Sequence, residues 1–383
     1  MFDVLLAINL TAHTFSLKKG SLRFPTVRRI FSVLFILPFF VVLIIVNRFC
    51  MLLDRIFFPG FRKIKLEKTG FITGVARSAT TYLFDILGKD NQHFTSFKLW
   101  EILLAPSIIQ KYILLAIIKV DRLAGKPLYR FSLFIDRILL GKIASLHAIS
   151  FSKPEEDETL LIFAFASIYL SYFFPDVRAL DPYLFFDEDL SPKKRKRIML
   201  FYKRCVQRHV YVFDRKEEKY FLSKNPAFVS KTVTIAETFP GAMLIYMLRS
   251  PLKTIPSTIS LNANVYAVFS GKKRENPLSV KTTEAIIRWY KMADDSIKKH
   301  WQNRNITVPF KKITGQPEGI IKEIYEFLKV IPGPAINQLL KTEQENSRNY
   351  KSEHKYNNKP GIPEEDVSLS LAFIINGKYR DEI

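Results

Sequence analysis

A chain of 383 residues that is 48% hydrophobic and 25% charged can bury a large core; it is not a disordered polypeptide, and it is too polar for a membrane protein of many spans. Its 58 Lys and Arg against 36 Asp and Glu leave a net charge of +22, which calls for an anionic partner such as nucleic acid, anionic lipid or a phosphorylated small molecule. Two cysteines, Cys50 and Cys205, exclude a disulfide scaffold and fit a reducing compartment.

In chain order, the first element is an apolar run over residues 30–46, interrupted by Ser32 and Pro38 and flanked by Arg28, Arg29 and Arg48. As a helix it reaches about 25 Å, just short of a ~30 Å hydrocarbon core. No signal-peptide cleavage site follows it. Basic residues on both sides give the positive-inside rule no direction. With Pro38 they suit a dip that enters and leaves on one face, while a span, a peripheral helix and a core helix stay open. Residues 49–58 are amphipathic enough to lie in a membrane interface. We expect residues 1–63 to form a hydrophobic membrane-associating segment and residues 64–383 to form one domain.

That domain reads as alternating strands and helices. Residues 70–73 fit a short buried strand and residues 80–87 the helix after it. Residues 100–220 read as a mostly helical, aromatic-rich middle, with helices over 155–174 and 193–212. A second unit follows: a helix over 228–238, a turn at Pro240-Gly241, a strand over 242–248 and a helix over 252–261. Helices over 283–301 and 318–328 close the domain, and 271–277 reads as a surface loop. The alternation predicts an α/β fold with a parallel sheet.

The sharpest local feature is Phe71-Ile-Thr-Gly-Val-Ala-Arg-Ser-Ala-Thr-Thr-Tyr82. It joins a strand, a short loop and a helix start. Unpaired N–H groups, small residues, the Arg77 cation and the hydroxyls of Ser78, Thr80 and Thr81 meet there, which is the chemistry of a phosphate or sulfate cradle. It is not a Walker loop, because Ala79 replaces the second Gly and Thr80 the Lys; that argues against an ordinary ATPase.

Gly74-Val-Ala-Arg-Ser-Ala-Thr-Thr81 resembles the G-x-x-R-S-G-T-T loop of sulfotransferases that use 3′-phosphoadenosine-5′-phosphosulfate (PAPS). Lys224-Asn-Pro226 is similar to that family's K-[DS]-P element. Phe239-Pro-Gly-Ala242 with Arg249-Ser-Pro251 is similar to its F-P-x-A…R-D-P block, and Ser257 follows Arg249 at the family's spacing. Leu99-Trp-Glu101 followed by Pro106 resembles the acidic segment after the first helix. Pro154-Glu-Glu-Asp157 and Ser352-x-His354-x-Tyr356 resemble elements of the membrane-linked and bacterial branches. The likeness runs from about Leu53 to Tyr379, and its motif order is similar to that of tyrosylprotein and carbohydrate sulfotransferases. It departs at Ala79, where the family prefers Gly, and at Ser250, where Asp is common.

The resemblance implies a P-loop-like three-layer fold with a central parallel sheet, the N-terminal hydrophobic helix being additional. It implies in-line, metal-free transfer of a sulfuryl group from PAPS to an acceptor hydroxyl. Arg77, Ser78, Ala79, Thr80 and Thr81 are then the 5′-phosphosulfate loop, Arg249 and Ser257 the 3′-phosphate clamp, and Lys224 the cation at the leaving phosphate. For the base the resemblance points to Glu101. Amid Leu99, Trp100, Ile102 and Leu103 it is expected to be partly desolvated, with a raised pKa. His147 is its rival, since the His that the cytosolic branch carries two residues after its Lys is Pro226 here. Glu155, Glu156 and Asp157 read as the acidic first turn of a helix rather than a metal set. His354 and Tyr356 are candidates for closing over donor or acceptor.

With the apolar N-terminal segment, and with residues 102–118 lining an entrance, the expected acceptor is hydrophobic: a sterol, lipid alcohol or glycolipid. Membrane lipids are expected partners and nucleic acid is not. The competing readings are a P-loop-like phosphotransferase with a nucleotide donor and a non-catalytic basic membrane-binding protein. Low cysteine and a cytosolic donor supply suit a catalytic domain facing the cytoplasm; the Golgi lumen, which also receives the donor, stays open.

Overall fold

The computed structural model describes residues 4–18, 21–135, 150–270, 276–349 and 361–383. Strands β1 (Thr69–Thr73), β2 (Phe94–Thr95), β3 (Tyr220–Lys224), β4 (Met243–Leu248) and β5 (Asn305–Pro309) form one parallel sheet in the order β2-β3-β1-β4-β5. The central strand β1 is buried along its whole length, as a strand covered on both faces must be. Alternate residues feed opposite layers. Phe71, Phe221 and Leu244 pack with Tyr202, Phe228 and Phe239 on one side; Ile72, Leu222 and Ile245 pack with Leu83, Phe84 and Ile324 on the other. The expected three-layer α/β architecture is therefore present.

Strand register aligns the ends of the central strands. Ile72 of β1 lies opposite Lys224 of β3, and Thr73 lies opposite Tyr246 of β4. The carboxyl ends of three neighbouring strands thus share one rim, the place where open parallel sheets bind ligands.

Several expected elements differ. Residues 155–174 do not form one helix: a 3-10 helix, Asp157–Ala164, is separated from the short Leu170–Phe173 turn by Phe165 in the left-handed region. The cause is polar. Glu158 turns inward, where it accepts from the Ile168 N–H and pairs with Lys231 at 3.3 Å, and this overrides the apolar periodicity. Residues 226–231 are 3-10 before the α-helix Thr232–Thr238 begins. The helix expected over 252–261 is Pro251–Ser270, with Pro256 inside it, and the one expected over 283–301 is Asn276–His300. Lys224 is the last residue of β3. Strands β2, β3 and β5 carry no periodic signal long enough to read from sequence.

The N-terminal helix runs unbroken from Val27 to Phe57 and is long and apolar enough to cross a membrane. It does not turn back at Pro38. A π-helical turn, Ser32–Ile36, precedes that residue and gives room for its ring and its missing N–H. The helix lies along the domain from Arg29 to Asp54, about 37 Å at the usual rise. Its inner face sets polar side chains beside the buried Ile44 and Met51. Arg29 donates to the Phe173 and Thr14 carbonyls, and Asn47 to the Leu103 carbonyl at 2.9 Å. Asp54 pairs with Arg208 at 2.7 Å and accepts from the Ile108 N–H. Its outer face exposes Phe31, Phe35, Phe39, Val42, Ile45 and Phe49.

Candidate active site

The loop after β1 is shaped by three positions. A Cβ on Gly74 would collide with the Met247 carbonyl, so only glycine lets the loop cross β4 this closely. Arg77 (φ 71°) and Ala79 (φ 66°, ψ 20°) are both left-handed. At Ala79 that conformation explains the family's preference for glycine, because a Cβ there costs about 1 kcal/mol. The helix that follows, Thr80–Leu87, has no side-chain cap, and its first N–H groups stay available to a ligand. The Ser78 hydroxyl turns inward to the Val75 carbonyl at 2.6 Å and stiffens the loop.

The motif residues converge. Arg77 Nε donates to Ser257 Oγ at 3.1 Å, and Arg249 donates to the Arg77 carbonyl at 2.6 Å while its guanidinium stacks 4.1 Å from the Phe310 ring centroid. The Lys224 ammonium lies 3.3 Å from Thr81 Oγ1 and 2.8 Å from Glu156 Oε1, with Glu155 at 4.0 Å. The other oxygen of Glu156 accepts from the Tyr169 hydroxyl. Burial, then the Glu156 charge, push that phenol far above its ordinary pKa, so it stays a donor.

In sequence Glu156 reads as part of an acidic helix turn, and the structure overturns that. Glu155 and Glu156 precede the 3-10 helix rather than sitting inside a helix. The segment is pinned from both sides. Asp157 accepts from Ser223 at 2.9 Å, from Tyr202 at 2.5 Å and from Asn225, and the Glu158 N–H donates to Asn225 Oδ1 at 3.0 Å. Burial pushes the Asp157 carboxyl up to about 7, against these hydrogen bonds. With its neighbours fixed inward, Glu156 is presented to the rim of the sheet.

Glu101 does the reverse. It is buried, 1% exposed. Its carboxylate lies 2.8 Å from His209 Nδ1 and 3.7 Å from Lys111 Nζ, and it accepts from the Lys98 N–H. Burial pushes its pKa up, but His209, Lys111 and that N–H outweigh it, and the pKa falls below the ordinary carboxylate value. The expected rise is therefore overturned. Glu101 instead anchors the Lys98–Ala105 turn, whose Lys98 bridges to Pro154 beside Glu155. His147, His354 and Tyr356 lie outside the described residues.

A cavity of about 1200 Å³ opens on this rim. Arg77, Ala79, Thr80, Thr81, Glu156 and Arg249 line one end, and Lys224 and Ser257 sit behind them. The rest is largely apolar, including Phe165, Ile168, Phe173, Phe269 and Trp289. Its volume exceeds the ~300–1,000 Å³ of a site for one small molecule, as two ligands side by side require. Neither Glu101 nor residues 102–118 line it, so the entrance expected from the latter is not there. Ile113, Ile117 and Ile118 point outward instead.

Known proteins give the same assignment. The sulfotransferase STF9 from Mycobacterium avium shares the fold with a TM-score of 0.67 at 14% identity, over 98% of this chain and 95% of that one. The sulfotransferase STF1 from Mycobacterium tuberculosis H37Rv does so with a TM-score of 0.63 at 16% identity, over 88% and 85%. No curated protein matches the sequence at a significant level. The model of the sulfotransferase family matches residues 71–331, more than half of the chain and every strand but the first residues of β1, and the chain thus belongs to the sulfotransferase family.

Proposed function

We propose that the protein transfers a sulfuryl group from PAPS to the hydroxyl of a hydrophobic acceptor, with Glu156 as the general base. The observation that carries this is the Lys224 ammonium held between Thr81 of the anion loop and the Glu156 carboxylate, at one end of a largely apolar cavity. The residues present fit the donor: an uncapped helix start, two left-handed loop residues and the cations Arg77, Lys224 and Arg249 meet at one rim. PAPS, when bound, supplies the sulfuryl group and leaves as 3′,5′-ADP.

Each side chain then has a task. Arg77, Thr81 and the N–H groups of the helix start hold the 5′ end, and Arg249 with Ser257 hold the 3′-phosphate. Lys224, itself buried, offsets charge on the leaving oxygen. Glu156 takes the proton from the acceptor hydroxyl. Tyr169 fixes its second oxygen so that the first faces the cavity.

On the same reading the protein sits on a membrane. The outer face of Val27–Phe57 is continued by Ile113, Ile117 and Leu123 of the Ile108–Leu123 helix and by Leu128, Phe131 and Phe134 of Pro127–Ile135. Arg55, Lys119, Arg122 and Lys126 are exposed on or beside these helices, where anionic lipid headgroups suit them. An apolar face this large is costly in water.

The test is incubation of vesicle-bound protein with ³⁵S-labelled PAPS and a total lipid extract. We expect label in the lipid phase with release of 3′,5′-ADP. Absence of both, with no thermal shift on adding 3′,5′-ADP, would overturn the proposal.

A further inference from the structure

The cavity wall and the apolar outer surface share one helix. Leu37, Phe40, Val41 and Ile44 of Val27–Phe57 line the cavity, one stripe at helical spacing. Val42, Ile45, Phe49 and Leu52 of the same helix face outward. Val41 belongs to both sets: it lines the cavity and is 42% exposed, so the cavity reaches the outer side of the helix there, as it reaches the surface at the polar Lys18, Asp176 and Asn346. From Val41 an apolar wall runs through Phe173 and Phe269, which touch at 5.5 Å between ring centroids, beside the polar Arg23, Ser171, Asn262 and Lys281, and ends at Glu156 and Arg77.

We propose that the acceptor is a membrane-resident amphiphile that enters laterally from the bilayer past Val41, with its hydroxyl leading toward Glu156 and its apolar tail lying along Phe40, Phe173 and Phe269. This rests on the sulfuryl-transfer reading for what happens at the inner end. The physical argument is desolvation. A long apolar body that stays between lipid and an apolar wall never crosses water, and water crossing costs about 0.8 kcal/mol for each CH₂. A single hydroxyl is the only polar group the ligand must strip of water, and it finds Glu156 and Tyr169 at the inner end. The acceptor this favours is an alcohol with a long apolar body, a lipid alcohol or sterol.

The probe is a long-chain primary alcohol carrying a diazirine, at trace level in phosphatidylcholine–phosphatidylglycerol vesicles with the full chain bound. After irradiation, adducts are mapped by peptide mass spectrometry. Adducts are expected on the inner stripe, Phe40, Val41 and Ile44, and on Phe173 or Phe269. Val41→Trp should reduce them about tenfold by overpacking the opening. Val42→Trp, one residue round on the outer face, should leave them unchanged and shows that the tryptophan itself is tolerated. Adducts confined to Phe35, Phe39 and Phe49, or inner adducts indifferent to Val41→Trp in protein with wild-type circular dichroism, overturn lateral entry. A thermal shift with 3′,5′-ADP separates the two readings. Inner adducts without that shift sink sulfuryl transfer and leave the passage; the shift with outer adducts alone sinks the passage.

Discussion

Glu156 and Glu101 each place a carboxylate beside a lysine, and the two regions do opposite things with it. Glu156 meets Lys224 at the wall of the cavity, with Thr81 of the anion loop on the far side of the ammonium. Glu101 meets His209 and Lys111 in the interior, where all three are nearly inaccessible. Glu156 of the first pair lines the cavity, whereas the second pair satisfies itself in the interior. A buried carboxylate is thus not a base merely because it is desolvated. The groups facing it decide whether its proton affinity rises or falls.

Substitutions can break this contrast. The largest effect is expected for Glu156→Gln, which should lower kcat about 10³-fold while 3′,5′-ADP binding, measured by thermal shift, is retained. Glu101→Gln should instead leave Lys111 buried without its charge partner and cost about 3 kcal/mol, read from the urea midpoint, with turnover per folded molecule preserved. Lost turnover at an unchanged midpoint would return the base to Glu101 and remove the contrast.

A pH profile sharpens it. Burial pushes Asp157, next to Glu156, up to about 7, whereas an unfolded aspartate releases its proton near ~4. Between those values the folded state binds the extra proton, so stability falls as pH rises from about 4 to about 7 and levels off above. Asp157→Asn should flatten that slope in urea unfolding at pH 5 and pH 8; an unchanged slope places the titration elsewhere. The smallest effect is expected at the loop. Ala79→Gly relieves a left-handed alanine and should raise stability by about 0.5–1 kcal/mol by thermal unfolding, whereas a loss would mean that the Ala79 methyl packs better than it strains.

A second contrast lies between two long helices that meet at the Asp54–Arg208 pair. Pro192–Phe213 buries Ile198, Met199, Tyr202 and Val206 and exposes Lys193, Lys196 and Arg197, as a helix in water does. Val27–Phe57 buries Arg29, Ser32, Asn47 and Asp54 and exposes phenylalanines. Its buried face sets these polar groups beside Ile44 and Met51 while its exposed face is apolar, which suits a helix with protein on one side and lipid on the other. The sequence shows an apolar run with basic flanks. It does not show that the few polar residues within and beside the run share one face against the domain, because their partners lie 15 to 154 residues away.

The loop after β1, Lys224, Arg249 and Ser257 could be singled out because their chemistry is local, with backbone conformation, hydroxyls and cations at short fixed spacings, and the fold brings them to one rim. The α/β class was legible for the same reason, through alternating strand and helix patterns. The base was not. Glu156 and Glu101 look alike in sequence, each amid apolar or acidic neighbours, and only tertiary structure brings Lys224 to one from 68 residues away and His209 to the other from 108. Motif chemistry is written along the chain, whereas a carboxylate's proton affinity and a helix's outward face depend on what the fold packs against them.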